Sequence, residues 1–233
     1  MSEAPDRAGT PARVIAIDGP SASGKSSTAR EVAARLGFLH LNSGLLYRAI
    51  TWVALRDGWV SGPDFDRRVA ALRLTLDPSP PGFILRVDGE EGGPMLQSAE
   101  VTARVSAVAA QAVVRETVNT VMRKAGTKNN LVADGRNIGT AVFPDAFLKI
   151  YLTASPEERA RRRLAERAEA TPAEAVAAEA RRLYERDRYD AARELAPLVK
   201  AEDAIELDST ERGRGEVVDE IVRLYEVRIP GAS

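Results

Sequence analysis

The sequence contains no cysteine and only one histidine among its 233 residues. The lack of cysteine excludes disulfides and thiolate metal sites. A single histidine cannot assemble a histidine-rich zinc centre, and histidine is also the usual general base near neutral pH. We therefore interpret His40 as a structural residue, buried or at the end of a strand. The chemistry of this chain must depend on other side chains.

The chain also lacks an excess of charge of one sign and a long apolar run. Its 33 Lys and Arg residues balance 34 Asp and Glu residues, which leaves a net charge of −1. No global field favours nucleic acid or an anionic membrane as a partner. No run approaches the roughly 20 apolar residues of a membrane span, and the first twelve residues lack the apolar core of a signal peptide. We expect a cytoplasmic monomer that binds neither nucleic acid nor membranes, with a disordered tail over residues 1–12.

Positive charge is concentrated locally instead. Arginines crowd between Arg159 and Arg193, in a chain whose overall charge is close to zero. A short basic stretch of this kind favours a small polyanionic ligand over a long polyanion.

The clearest motif lies in residues 14–36, VIAIDGPSASGKSSTAREVAARL. Gly19, Gly24, Lys25 and Ser26 have the G-x-x-x-x-G-K-[ST] spacing of a phosphate-binding loop. The glycines let backbone N–H groups turn toward phosphate oxygens, Lys25 reaches the outer phosphates, and the Ser26 hydroxyl reaches Mg²⁺. ATP and Mg²⁺ are the cofactors that this motif predicts. The predicted phosphate-binding residues are Gly19, Pro20, Ser21, Ala22, Ser23, Gly24, Lys25, Ser26 and Ser27.

The residues on either side of the motif support this interpretation over a flexible Gly/Ser turn. Residues 14–17 form a short β-branched apolar run, and residues 27–36 carry apolar residues at helical spacing before Gly37, a typical helix stop. The loop therefore joins a strand to a helix. The N-terminal end of that helix adds a positive dipole next to the bound anion.

The remainder of the chain alternates apolar strands with helices. Further core strands are predicted at residues 38–41, 131–134, 149–152 and 204–207, and helices at 45–56, 99–124, 155–168, 171–190 and 215–225. Ser155-Pro156 and Thr171-Pro172 each open a helix as a predicted capping box with proline at the first helical position. Residues 61–97, rich in proline and glycine, form a small inserted β region with strands near 73–76 and 83–87. This order predicts an α/β fold, with a parallel five-stranded sheet flanked by helices on both faces.

A phosphate loop alone names neither the reaction nor the acceptor, because switches, ATPases and small-molecule kinases share it. Four stretches are more specific: IDGPSASGKSS from Ile17, LNSGLLYR from Leu41, ADGRNIGTAVFPDA from Ala133 and ERDRYDAARELAPLV from Glu185. In these stretches, and in their order and spacing from about residue 14 onward, the chain resembles bacterial cytidylate kinases. Two alternatives remain beside this resemblance. One is a related kinase for UMP, shikimate or a sugar acid, and the other is a nucleotide-dependent switch or a nucleic-acid-associated ATPase.

The resemblance implies a P-loop nucleoside-monophosphate kinase that transfers the γ-phosphoryl group of ATP to CMP or dCMP. It implies a core of residues 13–45, 125–160 and 195–233, a nucleotide-binding insert of about 46–124 and a lid of about 161–194 within the domain 13–233. The implied acceptor residues are the phosphate ligands Arg48 and Arg136, the pocket wall Tyr47, the cytosine contacts Ser43, Arg115, Asn137 and Arg193, and the ribose contacts Ser106, Arg186 and Asp190. For Arg48 or Arg115 taken alone, a solvated helix face is the simpler explanation.

The resemblance also frames the expected phosphoryl-transfer machinery. Arg159, Arg162 and Arg163 lie at i, i+3 and i+4 of one helix, so they share a face and are expected to close together on the ATP phosphates. We expect them to be mobile without ATP, the alternative being a solvated face. With Lys25 and Arg136 they are the predicted catalytic residues.

Four further residues of the site carry expectations of their own. Asp134, at a strand end, is predicted to hold Mg²⁺ together with Ser26. Asp18 is expected to brace the phosphate loop. Asn137 and Asn42 stand where the family usually has aspartate.

Overall fold

The computed structural model describes residues 11–59 and 61–229. Most of the predicted disordered tail, residues 1–10, lies outside the described residues. The strands are β1 (Val14–Asp18), β2 (Leu39–Asn42), β3 (Leu74–Ser79), β4 (Gly82–Val87), β5 (Glu90–Glu91), β6 (Leu131–Asp134), β7 (Leu148–Thr153) and β8 (Ile205–Asp208). The α-helices are α1 (Lys25–Leu36), α2 (Ser43–Arg56), α3 (Pro63–Ala71), α4 (Ala99–Val108), α5 (Ala112–Gly126), α6 (Pro156–Glu166), α7 (Ala173–Ala191) and α8 (Arg214–Val227).

Five of the strands form one parallel sheet in the order β2-β6-β1-β7-β8. The predicted five-stranded parallel sheet is therefore confirmed. All five residues of β1, the central strand, are buried, as expected for a parallel strand covered on both faces.

Alternate residues of β1 face two separate cores, which shows that helices cover both sides of the sheet. Ile15 and Ile17 pack in a core with residues of α1 and α8, whereas Val14 and Ala16 pack in a core with residues of α2 and α5. The two-residue period of a strand produces this division. The sheet is thus a rigid layer with both faces covered.

The carboxyl ends of β1, β2 and β6 bring Asp18, Asn42 and Asp134 to one edge of the sheet. The register pairs Asn42 with Asp134 and Ile17 with Asp134. In open parallel sheets, ligands bind beyond this edge. The fold therefore places the polar residues of three strand ends around one region.

Two predictions about helices are wrong. The expected helix over residues 99–124 is two helices, because α4 ends at Val108 and α5 begins at Ala112. In the region interpreted as purely β, the helix α3 precedes the antiparallel sheet β3-β4-β5. The helix α3 buries only Phe65 and Val69, so its apolar pattern is too sparse to be recognised against the surrounding glycines and prolines.

The two predicted capping boxes have different outcomes. Ser155 caps α6 by accepting from Glu158 N at 3.3 Å, with Pro156 at the first helical position, although the Ser155 N–H itself donates to Thr210 Oγ1 at 2.8 Å. The prediction for α7 is wrong, because the cap is Pro172 and no side chain caps this helix. Asn42 does cap α2, since its Oδ1 accepts from Leu45 N at 3.3 Å.

Candidate active site

The phosphate loop joins β1 to α1, as its flanking sequence predicts. Gly19 has φ +146°, and a Cβ at this position would lie 2.1 Å from the carbonyl oxygen of Leu152 on β7. Gly24 has φ +88° and caps α1. Both glycines are therefore required by the backbone, Gly19 by close approach to the neighbouring strand and Gly24 by its left-handed conformation.

Lys25 is folded onto this loop. Its side chain is buried, and Nζ donates to the Pro20 carbonyl oxygen at 2.5 Å and to Ser23 Oγ at 3.3 Å. Burial lowers the pKa of Lys25 well below its usual value, and the nearby positive charge of Arg136 lowers it further. Residues 25–27 also form the first turn of α1, where backbone N–H groups have no partner within the helix. The loop therefore forms a concave site that favours the binding of an anion.

Ser26, Asp134, His40 and Asn42 form a hydrogen-bonded cluster beside the loop. Ser26 Oγ donates to Asp134 Oδ2 at 2.6 Å, Asn42 Nδ2 donates to Ser26 Oγ at 3.0 Å, and His40 Nε2 lies 2.7 Å from Asp134 Oδ1. The structure thus brings together the two predicted metal-holding residues, Ser26 and Asp134.

This oxygen pair is suited to Mg²⁺, which takes few protein ligands and completes its shell with water and phosphate oxygens. The described part of the chain contains no group of three or more His, Cys, Asp or Glu side chains that could hold a metal ion.

A cavity of about 370 Å³ extends from the phosphate loop between α2, α4, α5 and α7. Its walls include Lys25, Ser26, Asp134 and Arg163. The cavity is also lined by all ten predicted acceptor residues: Ser43, Tyr47, Arg48, Ser106, Arg115, Arg136, Asn137, Arg186, Asp190 and Arg193. Residues up to 150 positions apart in the chain, from Ser43 to Arg193, therefore share one cavity with the phosphate loop.

Arg136 and Asp190 connect the phosphate loop with α7. Arg136 Nη2 donates to Ser21 Oγ at 2.7 Å, and Arg136 Nε donates to Asp190 Oδ2 at 3.2 Å. Asp190 is almost fully buried and also accepts from Arg193. Arg186 also lines this part of the cavity. Burial lowers the pKa of Arg186 to about 10, and the positive charge of Arg136 contributes to the shift. This concentration of positive charge suits the phosphate and sugar of a nucleotide.

Tyr47, Arg115 and Asn137 form a further part of the cavity wall. The Arg115 guanidinium lies 5.7 Å from the centre of the Tyr47 ring, and its Nη1 donates to the Ala109 carbonyl oxygen at 3.1 Å. Burial lowers the pKa of Arg115. Arg115 Nε and Nη2 and Asn137 Nδ2 are buried without a hydrogen-bond partner among the described residues. Because buried donors normally have partners, these groups are well placed for the polar edge of a bound base.

Arg48 and Ser43 line the cavity but already have protein partners. Arg48 Nη1 donates to the Leu96 carbonyl oxygen at 3.0 Å and to Thr102 Oγ1 at 2.9 Å. Ser43 Oγ donates to the Asp134 carbonyl oxygen at 2.9 Å. Their predicted contacts with an acceptor therefore require some of these bonds to be exchanged.

The three arginines of α6 do not act as one set in this structure. Arg163 lines the cavity and donates to Glu166 at 3.0 Å. Arg159 and Arg162 instead donate to carbonyl oxygens of the phosphate loop, those of Ser21 at 3.0 Å and Ser23 at 3.3 Å respectively. A solvated face is wrong for Arg159, which is only 6% exposed. The expected approach of all three arginines to the ATP phosphates stays a prediction.

Asp18 braces a different loop from the one expected. Its Oδ1 accepts from Ile138 N and its Oδ2 from Gly139 N, both at 2.7 Å. Burial raises the pKa of Asp18, and these two backbone donors oppose that rise. Asp18 therefore fixes the segment that follows Asn137, and the prediction that it braces the phosphate loop is wrong.

Two residues of the site were missed by the sequence analysis. Asp187 accepts from Ser21 N at 2.9 Å and forms an ion pair with Arg159. These contacts fix the position of Ser21 in the phosphate loop. His40 was interpreted as structural, yet it contacts the predicted metal-holding carboxylate of Asp134. The sequence signal for Asp187 was its position one turn before Asp190 on the same predicted helix. The sequence signal for His40 was its proximity to the LNSG motif.

The sheet order, the phosphate loop after the central strand and the carboxylate ending the adjacent strand define a nucleotide-binding protein of the P-loop class. The family model described as cytidylate kinase matches residues 15–227, and the chain belongs to this family. A cytidylate kinase from Streptomyces griseus is 42% identical over 219 residues, which cover 91% of this chain and 92% of that protein.

Other relatives are longer or more distant. A bifunctional pantoate ligase/cytidylate kinase from Synechococcus sp. strain CC9311 is 43% identical over 93% of this chain, and the match spans only 44% of that protein's length. The crystal structure of TT1252 from Thermus thermophilus matches 95% of this chain and 100% of that chain with a TM-score of 0.50 and 18% identity, which supports the fold alone. Among the described helices, none has the length and apolar character needed to cross a membrane.

Proposed function

We propose that this chain transfers the γ-phosphoryl group of ATP to CMP or dCMP, giving ADP and CDP or dCDP. The observation that carries the proposal is the single cavity that joins the phosphate loop to all ten predicted acceptor residues. Membership of the cytidylate kinase family supports the choice of acceptor. A switch or an ATPase without a small acceptor has no use for such a second half of the site.

The roles proposed for the individual residues follow from the charges of their side chains and of the two nucleotides. Phosphoryl transfer between two anionic nucleotides needs mainly charge neutralisation and in-line alignment. Lys25 exchanges its bond to the Pro20 carbonyl oxygen for the outer phosphates of ATP. Arg136 and Arg48 hold the acceptor phosphate, and Arg163 adds positive charge from α6. Ser26 and Asp134 hold Mg²⁺, which when bound neutralises charge on the transferring phosphate oxygens.

Base and sugar recognition are assigned to other residues that line the same cavity. Asn137 and Arg115 face the cytosine edge with unpaired donors, together with Ser43 and Arg193, while Tyr47 forms the wall. Arg186, Asp190 and Ser106 meet the ribose. We assign the insert to residues 46–124 and the lid to residues 161–194, with the remaining segments of 13–233 as the core.

The proposed partners are small molecules alone. The phosphate loop and all ten predicted acceptor residues come from one chain, and we propose that the protein acts as a monomer. The cytoplasm is the proposed location, where ATP and nucleoside monophosphates are both present.

A coupled assay of ADP release tests the proposal. The purified chain is given ATP and Mg²⁺ with CMP, dCMP, UMP, AMP, GMP or no acceptor. We expect turnover with CMP and dCMP that far exceeds turnover without an acceptor. ATP turnover of equal rate in the absence of any acceptor, or a clear preference for a purine acceptor, contradicts the proposal.

A further inference from the structure

We infer that His40 is a positioning residue, whose ring N–H fixes the Asp134 carboxylate in the orientation in which it holds Mg²⁺. The inference rests on the proposed function for the presence of the metal. The contact itself is direct, because His40 Nε2 lies 2.7 Å from Asp134 Oδ1.

The hydrogen-bond chemistry determines which group donates. An ionised carboxylate can only accept, so Nε2 of His40 carries the hydrogen. The other oxygen, Oδ2, accepts from Ser26 Oγ at 2.6 Å. The two donors approach different oxygens of one carboxylate, and this leaves Asp134 no free rotation about its last side-chain bond. One oxygen is thus committed to His40, and the other faces the serine of the phosphate loop.

His40 is itself firmly held. It lies in β2, paired with Val132 of β6, and its side chain is 10% exposed. On the outer side of the sheet, its backbone N–H donates to the Pro81 carbonyl oxygen at 2.8 Å. A residue held by the sheet on one side and by the β3–β4 hairpin on the other is well suited to position a neighbour.

The composition of the cluster makes this orientation important. Of Ser26, His40, Asn42 and Asp134, only Asp134 carries a carboxylate, because position 42 is an amide whose Nδ2 donates to Ser26. Mg²⁺ demands near-ideal geometry, and its affinity here depends on a single anionic side chain. Hydrogen-bonding partners of metal-holding carboxylates typically contribute about 10- to 100-fold in metal affinity or activity.

Three substitutions separate the hydrogen bond from packing. His40→Gln keeps an N–H donor near the position of the imidazole Nε2. His40→Asn has the same amide on a side chain too short to reach Asp134, and His40→Leu removes the donor. Thr51→Val is the control, since Thr51 is fully buried and donates to the Tyr47 carbonyl oxygen at 2.8 Å outside the cluster.

The readout is Mn²⁺ binding in the presence of ADP, measured as loss of the electron paramagnetic resonance signal of free Mn²⁺. We expect His40→Leu and His40→Asn to weaken Mn²⁺ binding about 10-fold or more, and His40→Gln to stay within about threefold of the parent. ADP binding without metal should be unchanged in all variants, and the Mg²⁺ concentration for half-maximal turnover should rise in parallel with the Mn²⁺ dissociation constant.

Two results overturn the inference. One is parental Mn²⁺ affinity in His40→Asn and His40→Leu, and the other is an equal loss in His40→Gln, which would indicate packing instead of a hydrogen bond. Circular dichroism confirms folding, and comparison of Gln with Asn suffices if the leucine variant does not fold. Because Mn²⁺–ADP binding involves no acceptor, it tests His40 even if the parent proves inactive with CMP.

Discussion

The backbone N–H of Ser21 donates to the Asp187 carboxylate at 2.9 Å, which binds the phosphate loop directly to α7. The other oxygen of Asp187 pairs with Arg159, whose Nη1 also donates to the Ser21 carbonyl oxygen. Ser21 is thus held through both its N–H and its C=O. The shape of the phosphate loop therefore depends on two helices that lie far from it in the sequence.

Asp187→Ala is expected to destabilise the protein strongly. Arg159 would lose its one carboxylate partner among the described residues while remaining buried, and breaking one side of a buried pair typically costs about 3–5 kcal/mol. Urea denaturation should show a decrease of about 3 kcal/mol in the free energy of unfolding. Glu220→Ala is the control, because its partner Arg223 is exposed and such a pair contributes at most about 1 kcal/mol. Equal effects of the two substitutions would contradict a buried brace.

Lys25→Ala is expected to abolish most catalysis without unfolding the protein. One donor aimed at developing charge in a dry site typically contributes about 3–4 kcal/mol, so kcat should decrease by about 100- to 1000-fold. Folding should survive, because burial already lowers the pKa of Lys25 and so disfavours its charged form.

The measurement for Lys25 is kcat at saturating ATP, with circular dichroism as the check on folding. Lys124→Ala is the control, because Lys124 is an exposed residue of α5, and this variant should retain parental turnover. A parental kcat in folded Lys25→Ala would refute the assigned role.

The sequence was sufficient for those features that depend on neighbouring residues. The phosphate loop has a fixed spacing and needs a strand before it and a helix after it, and all three lie within residues 14–36. The core strands were found because each contains a short run with apolar residues, although only β1 and β6 are buried throughout, and β8 buries Leu207 alone. The boundaries shifted by one or two residues, as at β8, where the predicted 204–207 became Ile205–Asp208.

Other features depend on residues that meet only in the folded chain. Ser21 and Asp187 are 166 positions apart, and His40 and Asp134 are 94 apart. Its position one turn before Asp190 places Asp187 on the same face of α7, but no local pattern indicates that its partner is Ser21. Likewise, helical spacing placed Arg159, Arg162 and Arg163 on one face without indicating that two of them donate to carbonyl oxygens of the phosphate loop.

Asp190→Ala is expected to impair use of CMP. Asp190 is 2% exposed and accepts from Arg136 and Arg193, so its removal frees two arginines from their shared partner and removes the predicted ribose contact. Hydrogen bonds to charged groups contribute about 1.5–3 kcal/mol, which corresponds to a decrease in kcat/KM for CMP of about 10- to 100-fold.

Steady-state kinetics with each substrate varied in turn provide the measurement for Asp190. The KM for ATP should change much less than the KM for CMP. Glu194→Ala is the control, because Glu194 is exposed and follows Asp190 closely in the sequence. Equal catalytic efficiency of Asp190→Ala and the parent would show that Asp190 does not serve the acceptor.

The last prediction concerns Asn137, which stands where the resemblance leads us to expect aspartate. Asn137 is 3% exposed, lines the cavity, and has no partner for its Nδ2 among the described residues. An amide can present its oxygen to the cytosine amine or, after a flip, its NH₂ to the O4 oxygen of uracil. A carboxylate can only accept, so it attracts cytosine and repels uracil.

Asn137→Asp should therefore sharpen the preference for CMP over UMP. One well-placed base contact contributes about 1–3 kcal/mol of discrimination, and the ratio of kcat/KM for the two substrates should rise accordingly. Asn42→Asp makes the same amide-to-acid change beside Ser26 and away from Asn137, so it should leave the ratio unchanged. Kinetics with CMP and UMP in competition measure this ratio directly. A ratio that is the same in Asn137→Asp and in the parent would mean that Arg115 and Arg193, the other predicted base contacts, determine which pyrimidine is accepted.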